Sequence, residues 1–385
     1  MSVLAPSTLR ESPQPQHVLV VGGAGYIGSI VTRRLLHLGH KVRVFDALFY
    51  GADSMAGIVS DPNYELVIGD TRSTPAVDAA MTGIDAVIHL GELVGDPACA
   101  LEPHTTRAIN RDATRRVAEL ARDHGVRRFL YPSSCSVYGA SDAIVDEGSP
   151  LNPVSLYAEM KVEAEHLLDN LQDDNFETVT LRLATVFGYS PRPRFDLVVN
   201  LLAARALVDG RITVHGGDQW RPFVHVADVA AALSMFLEAP AELVAGRTFN
   251  VGSDTLNHTI SEVASLVERL TPQSFIEVVP IDDHRNYRVS FGRICTELGF
   301  VPARTVTSGI AEIHAAIRGK LIPDYGATKH SNVRSLLETA ASYRFDGESA
   351  QSPSGVGSTR SGSVEIVHDD ATLRTDAADR VAVTR

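Results

Sequence analysis

Between residues 17 and about 135 the chain alternates short apolar runs with longer stretches in which apolar positions recur every three or four residues. The runs are HVLVVGG, KVRVFDAL, YELVIGD, DAVIHLG and RRFLYPSS, in that order. Strands alternating with helices predict a parallel sheet covered by helices on both faces. Between the first two runs, Ile27, Ile30, Val31, Leu35 and Leu38 fall at helical spacing, and Gly39 stands where a left-handed C-terminal cap belongs. This first unit is βαβ. A further helix is expected to start near Tyr157, in YAEMKVEAEHLLDNL, and a strand to follow it in TVTLRLATVFG.

Beyond that strand the pattern loosens. Residues 188–222 carry Pro191, Pro193 and the apolar helix DLVVNLLAARAL, and residues 253–340 form a second irregular block after FNVGS. These blocks are read as a smaller lobe, interleaved with a return to the sheet at about 223–252, while residues 17–187 form the main α/β domain. The polar, Pro-rich opening at 1–16 reads as a flexible tail. From about residue 341 to 385 the chain is rich in Ser, Gly, Thr and Asp with almost no aromatic residues. Such a segment cannot bury enough apolar surface to order itself and is expected to be disordered.

Composition narrows the class. At 385 residues and 44% hydrophobic, the chain is long enough to bury a substantial core. No apolar run approaches the roughly 18 residues that span a bilayer, and the opening MSVLAPSTLRESPQPQ lacks a signal-peptide centre. A cytoplasmic enzyme without a membrane partner is expected. Cys99, Cys135 and Cys295 are too scattered for a disulfide framework and lack CxxC spacing, so they read as ordinary thiols and no metal site is expected. The net charge of −12 argues against a nucleic-acid partner. An anionic small substrate stays compatible, because a few local arginines outweigh the average.

Candidate chemistry begins in VVGGAGYIGS, where Gly22, Gly25 and Gly28 lie between the first strand and the first helix. Glycines at this position allow a tight turn, a pyrophosphate close to the backbone and close helix-to-strand packing, with the helix N-terminus facing the anion. Asp46 ends the second strand 18 residues after Gly28, where a carboxylate accepts hydrogen bonds from a ribose and repels a 2′-phosphate. That favours NAD over NADP, and strand alternation points Arg43 away from Asp46. Asp70, at the end of the third strand, either binds adenine or caps the next helix.

Tyr157 and Lys161 are four residues apart and share one helical face. An ammonium beside a phenol lowers the phenol's pKa and makes a tyrosinate base that takes a hydroxyl proton as hydride leaves the same carbon. Ser133, Ser134 and Ser136, in YPSSCSVYG, end the fifth strand, where open parallel sheets place their ligands. Ser133 and Ser136 also suit a turn or a helix cap; Ser134 is the one expected to bridge the substrate oxygen and the tyrosine.

With GGAGYIGS, Asp46, SSCSVYG, YAEMK, GDQWRPFVHVADVA and FNVGS in this order, residues 17 to about 325 resemble the extended short-chain dehydrogenase/reductases, in particular the NAD-dependent sugar epimerase/dehydratase family and most of all its UDP-glucose 4-epimerases. The resemblance implies a Rossmann-type doubly wound parallel sheet holding NAD, a smaller interleaved C-terminal lobe holding a nucleotide diphosphate sugar, and commonly a homodimer. It implies a catalytic centre of Ser134, Tyr157 and Lys161. The cofactor contacts it implies are Gly22, Gly25, Tyr26, Ile27, Gly28, Asp46, Asp70, Thr71 and Leu90, together with Tyr157 and Lys161. On the substrate side it implies Ser134, Ser136, Thr185, Arg221 and Arg285, with Arg285 preferred over Arg288 as the second grip on the diphosphate. His225 and Asn110 are read as structural.

In the family's 4,6-dehydratases an Asp-Glu pair follows the hydroxyl residue; here those positions are Cys135 and Ser136, which cannot serve as the acid and base of a water elimination. The expected reaction is therefore inversion at C4 through a 4-keto sugar. An NAD(H)-linked 4-ketoreductase or dehydrogenase of a nucleotide-linked sugar is the alternative, and a dinucleotide sensor without catalysis is a third. Three departures surround the sugar site: Thr185 for the usual asparagine, Leu156 for the usual proline, and the loop GELVGDPACA for the common alanine-rich form.

Overall fold

The computed structural model describes residues 15–281 and 285–339. Apart from residues 15 and 16, the tails expected at the two ends lie outside the described residues, as do residues 282–284 and 340 of the 253–340 block. The first half of the chain runs through strands β1 (His17–Val21), β2 (Lys41–Asp46), β3 (Tyr64–Ile68), β4 (Ala86–His89), β5 (Arg128–Ser134) and β6 (Glu177–Leu183). Among them lie helices α1 (Gly28–His37), α2 (Thr74–Met81), α3 (Asp96–Leu101), α4 (Thr114–Asp123) and α5 (Leu156–Leu171). There follow β7 (Thr185–Phe187), α6 (Val198–Val208), β8 (Trp220–His225), α7 (Val226–Glu238), β9 (Arg247–Val251), β10 (Asn257–Thr259), α8 (Ile260–Leu270), α9 (Val306–Arg318) and α10 (Asn332–Thr339).

Seven strands form one parallel sheet in the order β9-β6-β5-β4-β1-β2-β3. This is a Rossmann-type doubly wound α/β fold. The chain builds outward from β1 in one direction and then returns to β4 to build in the other. That reversal leaves a crevice at the C-terminal ends of β1 and β4, the place where such sheets receive ligands.

Helices on both faces leave β1 no wet side, and Val18 to Val21 are each at most 1% exposed. On one face Val20, Ile88, Leu130 and Leu181 pack with α1 and α7 through Leu35 and Phe236. On the other, Val21, Phe129 and Tyr131 pack with α2, α4 and α5 through Met81, Val117 and Leu168. A separate apolar core joins β8, α6, α8 and α9 through Phe223, Leu202, Val263 and Ile310.

The run TVTLRLATVFG is not one strand. It breaks at Ala184: Glu177–Leu183 stays in the main sheet, while Thr185–Phe187 pairs with β8, which is antiparallel to β10, in a separate three-stranded sheet. The first part is buried throughout and the second is half-buried up to Phe187, and the β-rich run carries no mark of the change; Phe187 meets Phe223 edge-on with centroids 6.3 Å apart. The return to the main sheet expected over 223–252 is consequently made by α7 and β9, and β8 belongs to the small sheet.

Two buried polar networks fix what lies behind the crevice. Arg128 pairs with Glu177 and donates to the carbonyls of Phe236, Leu237 and Ala239, capping the C-terminus of α7 with a cation. Arg182 grips Glu165 of α5 through two of its nitrogens, at 3.1 and 2.6 Å, and Ser133 donates to the same carboxylate. The helix carrying Tyr157 and Lys161 is thereby tied to β5 and β6.

Candidate active site

A cavity of about 620 Å³ opens along the C-terminal edge of the sheet. At one end lies the turn between β1 and α1. Gly22 has a φ of 77°, and a Cβ there would sit 2.7 Å from the backbone of Leu90 and Gly91. A Cβ on Gly28 would sit 2.2 Å from the carbonyl oxygen of Gly22. No other residue fits at either place. Helix α1 has no side-chain cap and no acidic residue in its first turn, so its N-terminus faces the cavity without a built-in anion. Gly25, Ile27, Thr71 and Leu90 line the same end. Tyr26 lines it as well, but its hydroxyl is engaged by the carbonyl of Gly188 at 2.7 Å.

Asp46 stands where β2 ends. One carboxylate oxygen accepts from the amide of Ala24 in the glycine turn (2.9 Å) and the other from that of Leu48 (2.8 Å). Burial raises its pKa, while these two bonds and Arg192 act the other way. Arg43 turns away to Glu65 and to the carbonyls of Ala80 and Thr82. Asp46→Asn should weaken NAD binding by roughly tenfold, the scale of one charged hydrogen bond, and narrow its preference over NADP. Titration with both dinucleotides measures this; an unchanged preference would remove Asp46 from the ribose site. Asp70 also lines the cavity, but Ser73, not Asp70, is the N-cap of α2. Its carboxylate is taken by the Arg72 guanidinium, at 2.6 Å from Nη2, and by the Arg72 amide. The helix-capping alternative is thus corrected: the aspartate braces its own turn.

Tyr157, Lys161 and Ser134 come together midway along the cavity. Ser155 caps α5 by accepting from the Ala158 amide at 3.2 Å, so the helix starts at Leu156 and puts Tyr157 in its first turn. The Tyr157 ring packs on Leu93, Cys99, Ile109 and Leu336. Its hydroxyl faces Ser134, whose Oγ accepts from the Ser136 amide at 3.1 Å. Lys161 is 3% exposed and donates to the carbonyl of Pro132 at 2.7 Å. Burial, followed by Glu92, Cys99 and Asp96, pushes the Tyr157 phenol well above the usual range, with Ser134 acting against them.

Next to this centre, Cys135 is buried and points its thiol at the carbonyl of Arg182, 3.3 Å away; burial pushes the thiol up. The Ser136 hydroxyl, at the cavity wall, is buried and has no protein partner. Cys99 is likewise buried, its thiol pushed up to about 12, mostly by burial. At the far end the cavity is lined by Thr185, Arg221, Arg285 and Tyr287. Arg221 donates to the carbonyls of Trp220 and Arg285, and Arg285 pairs with Asp96 at 2.7 Å. Arg288 lies outside the cavity wall and reaches the carbonyl of Asp142. His225 is buried between Glu312 and the Ala227 amide, and Asn110 braces both backbone groups of Leu93.

Residues 18–252 match the family described as NAD dependent epimerase/dehydratase. The chain belongs to this family. Its cofactor is NAD, and the turn at Gly22 and Gly28, the uncapped N-terminus of α1 and the Asp46 carboxylate fit a dinucleotide. The chain is 31% identical to a UDP-glucose 4-epimerase of Mycolicibacterium smegmatis, covering 78% of this chain and 98% of that one. It is 30% identical to a dTDP-glucose 4,6-dehydratase of an Actinoplanes species, with 78% and 97% covered. The Thermus thermophilus UDP-glucose 4-epimerase solved with NAD superimposes with a TM-score of 0.68 at 25% identity, over 79% of this chain and 99% of that chain. Among the described residues no helix is long and apolar enough to cross a membrane.

Sequence reasoning passed over several members of the site. Glu92, Asp96, Arg192, Arg194 and Asp196 all line the cavity. Glu92 and Asp96 lie in the GELVGDPACA loop, whose departure from the common form was visible but whose partners were not. A carboxylate just beyond the C-terminal end of a central strand was the available signal.

Proposed function

We propose that this enzyme inverts C4 of a nucleotide diphosphate sugar through a transient 4-keto sugar. The observation that carries this reading is the meeting of Ser134, Tyr157 and Lys161 beside a glycine turn, with Cys135 and Ser136 where a water elimination needs carboxylates. The two carboxylates that do reach the cavity nearby are already engaged, Glu92 by Lys161 and Asp96 by Arg285 and Ser155.

NAD, when bound, supplies the hydride acceptor and donor. Tyr157 takes the proton of the sugar 4-hydroxyl and later returns it. Ser134, facing Tyr157 across the site, holds the sugar oxygen in line with that phenol. Arg221 and Arg285 hold the diphosphate, so the keto sugar can turn about its anchored end and present its other face. On this reading residues 17–187, with α7 and β9, take the dinucleotide, and the blocks at 188–222 and 253–340 take the nucleotide sugar.

The test is to denature the purified protein, assay released NAD(H), and incubate the native enzyme with UDP-, dTDP-, GDP- and CDP-sugars with and without added cofactor. Interconversion of one 4-epimer pair without net change in NADH is the expected result. Turnover of a 4-keto sugar that consumes NADH stoichiometrically would replace the epimerase by a ketoreductase, and release of water with a 4-keto-6-deoxy product would make it a dehydratase.

A further inference from the structure

A Ser-Tyr-Lys centre does not require a carboxylate, yet one is built into this one. Glu92 sits three residues beyond β4, and its side chain is 2% exposed against 4% for that of Lys161, with which it pairs. Its second oxygen accepts from the hydroxyl of Tyr131 at 2.9 Å and from that of Thr114 at 3.2 Å. Because Thr114 donates to Glu92, it accepts from His89 Nε2 at 3.0 Å, which fixes the proton of that imidazole on Nε2. Burial first of all pushes His89 down to about 4, so the ring is neutral. Glu92 is therefore the only full charge in this chain of partners apart from Lys161.

The Lys161 ammonium spends one hydrogen on Glu92 and another on Pro132, and it lies 4.5 Å from the centroid of Tyr131 and 5.8 Å from that of Tyr157. An ammonium alone stabilises a neighbouring phenolate; a carboxylate in contact with that ammonium cancels much of the effect. The groups facing Tyr157 are Lys161 from α5, Glu92 from the loop after β4, Asp96 and Cys99 from α3, and Ser134 and Tyr131 from β5. Asp96 is paired with Arg285, and α10 contributes the apolar Val333 and Leu336.

We propose that Glu92 is a positioning residue of the catalytic centre: acting through Lys161, it fixes the ammonium against Pro132 and offsets its charge, so that Tyr157 ionises at higher pH than it would beside a free lysine. The tyrosinate that forms is correspondingly a stronger base. The inference rests on the reading of Tyr157 as the base, and its test separates the two.

In NAD-saturated protein, the ultraviolet difference absorbance of tyrosinate is titrated against pH for the wild type, Glu92→Gln and Glu92→Asp, each corrected with its Tyr157→Phe counterpart. Glu92→Gln should move the Tyr157 transition down by about one pH unit or more. Glu92→Asp, which keeps the charge, should stay near the wild type, and the acid limb of the turnover profile should move with the titration. An unmoved transition in Glu92→Gln, or none within the stable range, overturns the proposal. Should that variant not fold because it strands the ammonium, Glu92→Gly is prepared and titrated at increasing formate, with Lys161 in place: the Tyr157 transition must rise as formate restores a carboxylate against the ammonium, and a transition indifferent to formate overturns the proposal. Full turnover in Tyr157→Phe would instead remove the reading of the base itself.

Discussion

Tyr157→Phe should lower kcat by about 10²–10⁴-fold, or roughly 3–5 kcal/mol of barrier, while NAD stays bound at wild-type stoichiometry. The ring keeps its packing on Leu93, Ile109 and Leu336, and Lys161 keeps Glu92 and Pro132, so what is lost is the one hydroxyl that faces Ser134. The effect should fall on kcat and kcat/KM alike, because in the proposed reaction the proton is transferred only as C4 changes oxidation state. Steady-state rates with the epimer pair found in the sugar panel, together with an assay of released NAD, measure both halves. An active Tyr157→Phe enzyme would sink the acid-base role, and a variant that lost NAD would place Tyr157 in cofactor binding more than in chemistry.

The second large effect concerns the turn that admits the dinucleotide. Gly28→Ala places a methyl group 2.2 Å from the carbonyl oxygen of Gly22 and 2.7 Å from the Cα of Gly23. Backbone lies on that side, so the clash cannot be relieved by turning a flexible side chain aside. Either α1 moves away from β1 or the turn opens, and in both cases the amides at the helix N-terminus leave their positions. Overpacking of this kind costs about 1–3 kcal/mol of stability. The expected outcome is a lower Tm, protein purified largely without NAD, and dinucleotide binding weakened by more than the Asp46→Asn substitution weakens it. Wild-type cofactor content in Gly28→Ala would show that the turn can relax and that its closeness is packing alone.

The same two positions illustrate what could be read directly from the chain. Gly22, Gly25 and Gly28 lie on one short turn, and Tyr157 and Lys161 on one helix, so local geometry carries each relation. The fold was legible for a related reason. Strands covered on both sides by helices, such as β1 and β4, are almost wholly apolar, and five β-rich runs alternating with helical stretches leave little besides a doubly wound sheet. The break at Ala184 was not legible, because the run TVTLRLATVFG reads as one continuous β-rich stretch, and only tertiary packing assigns its two parts to different sheets.

The sequence alone determined the alternation of strands and helices through β5, the glycine turn, and the tyrosine, lysine and serine proposed for the chemistry, since each follows from spacing within a turn, a strand or a helix. Only the tertiary structure decided the partners. Lys161 meets Glu92 across 69 positions, the Tyr26 hydroxyl meets Gly188 across 162, and Arg285 meets Asp96 across 189. Those distances depend on which strands lie side by side and how the second apolar core folds back over the sheet edge, quantities that no local propensity encodes. The electrostatics around Tyr157 is therefore a property of the packed molecule, set by burial and by a carboxylate from the loop after β4.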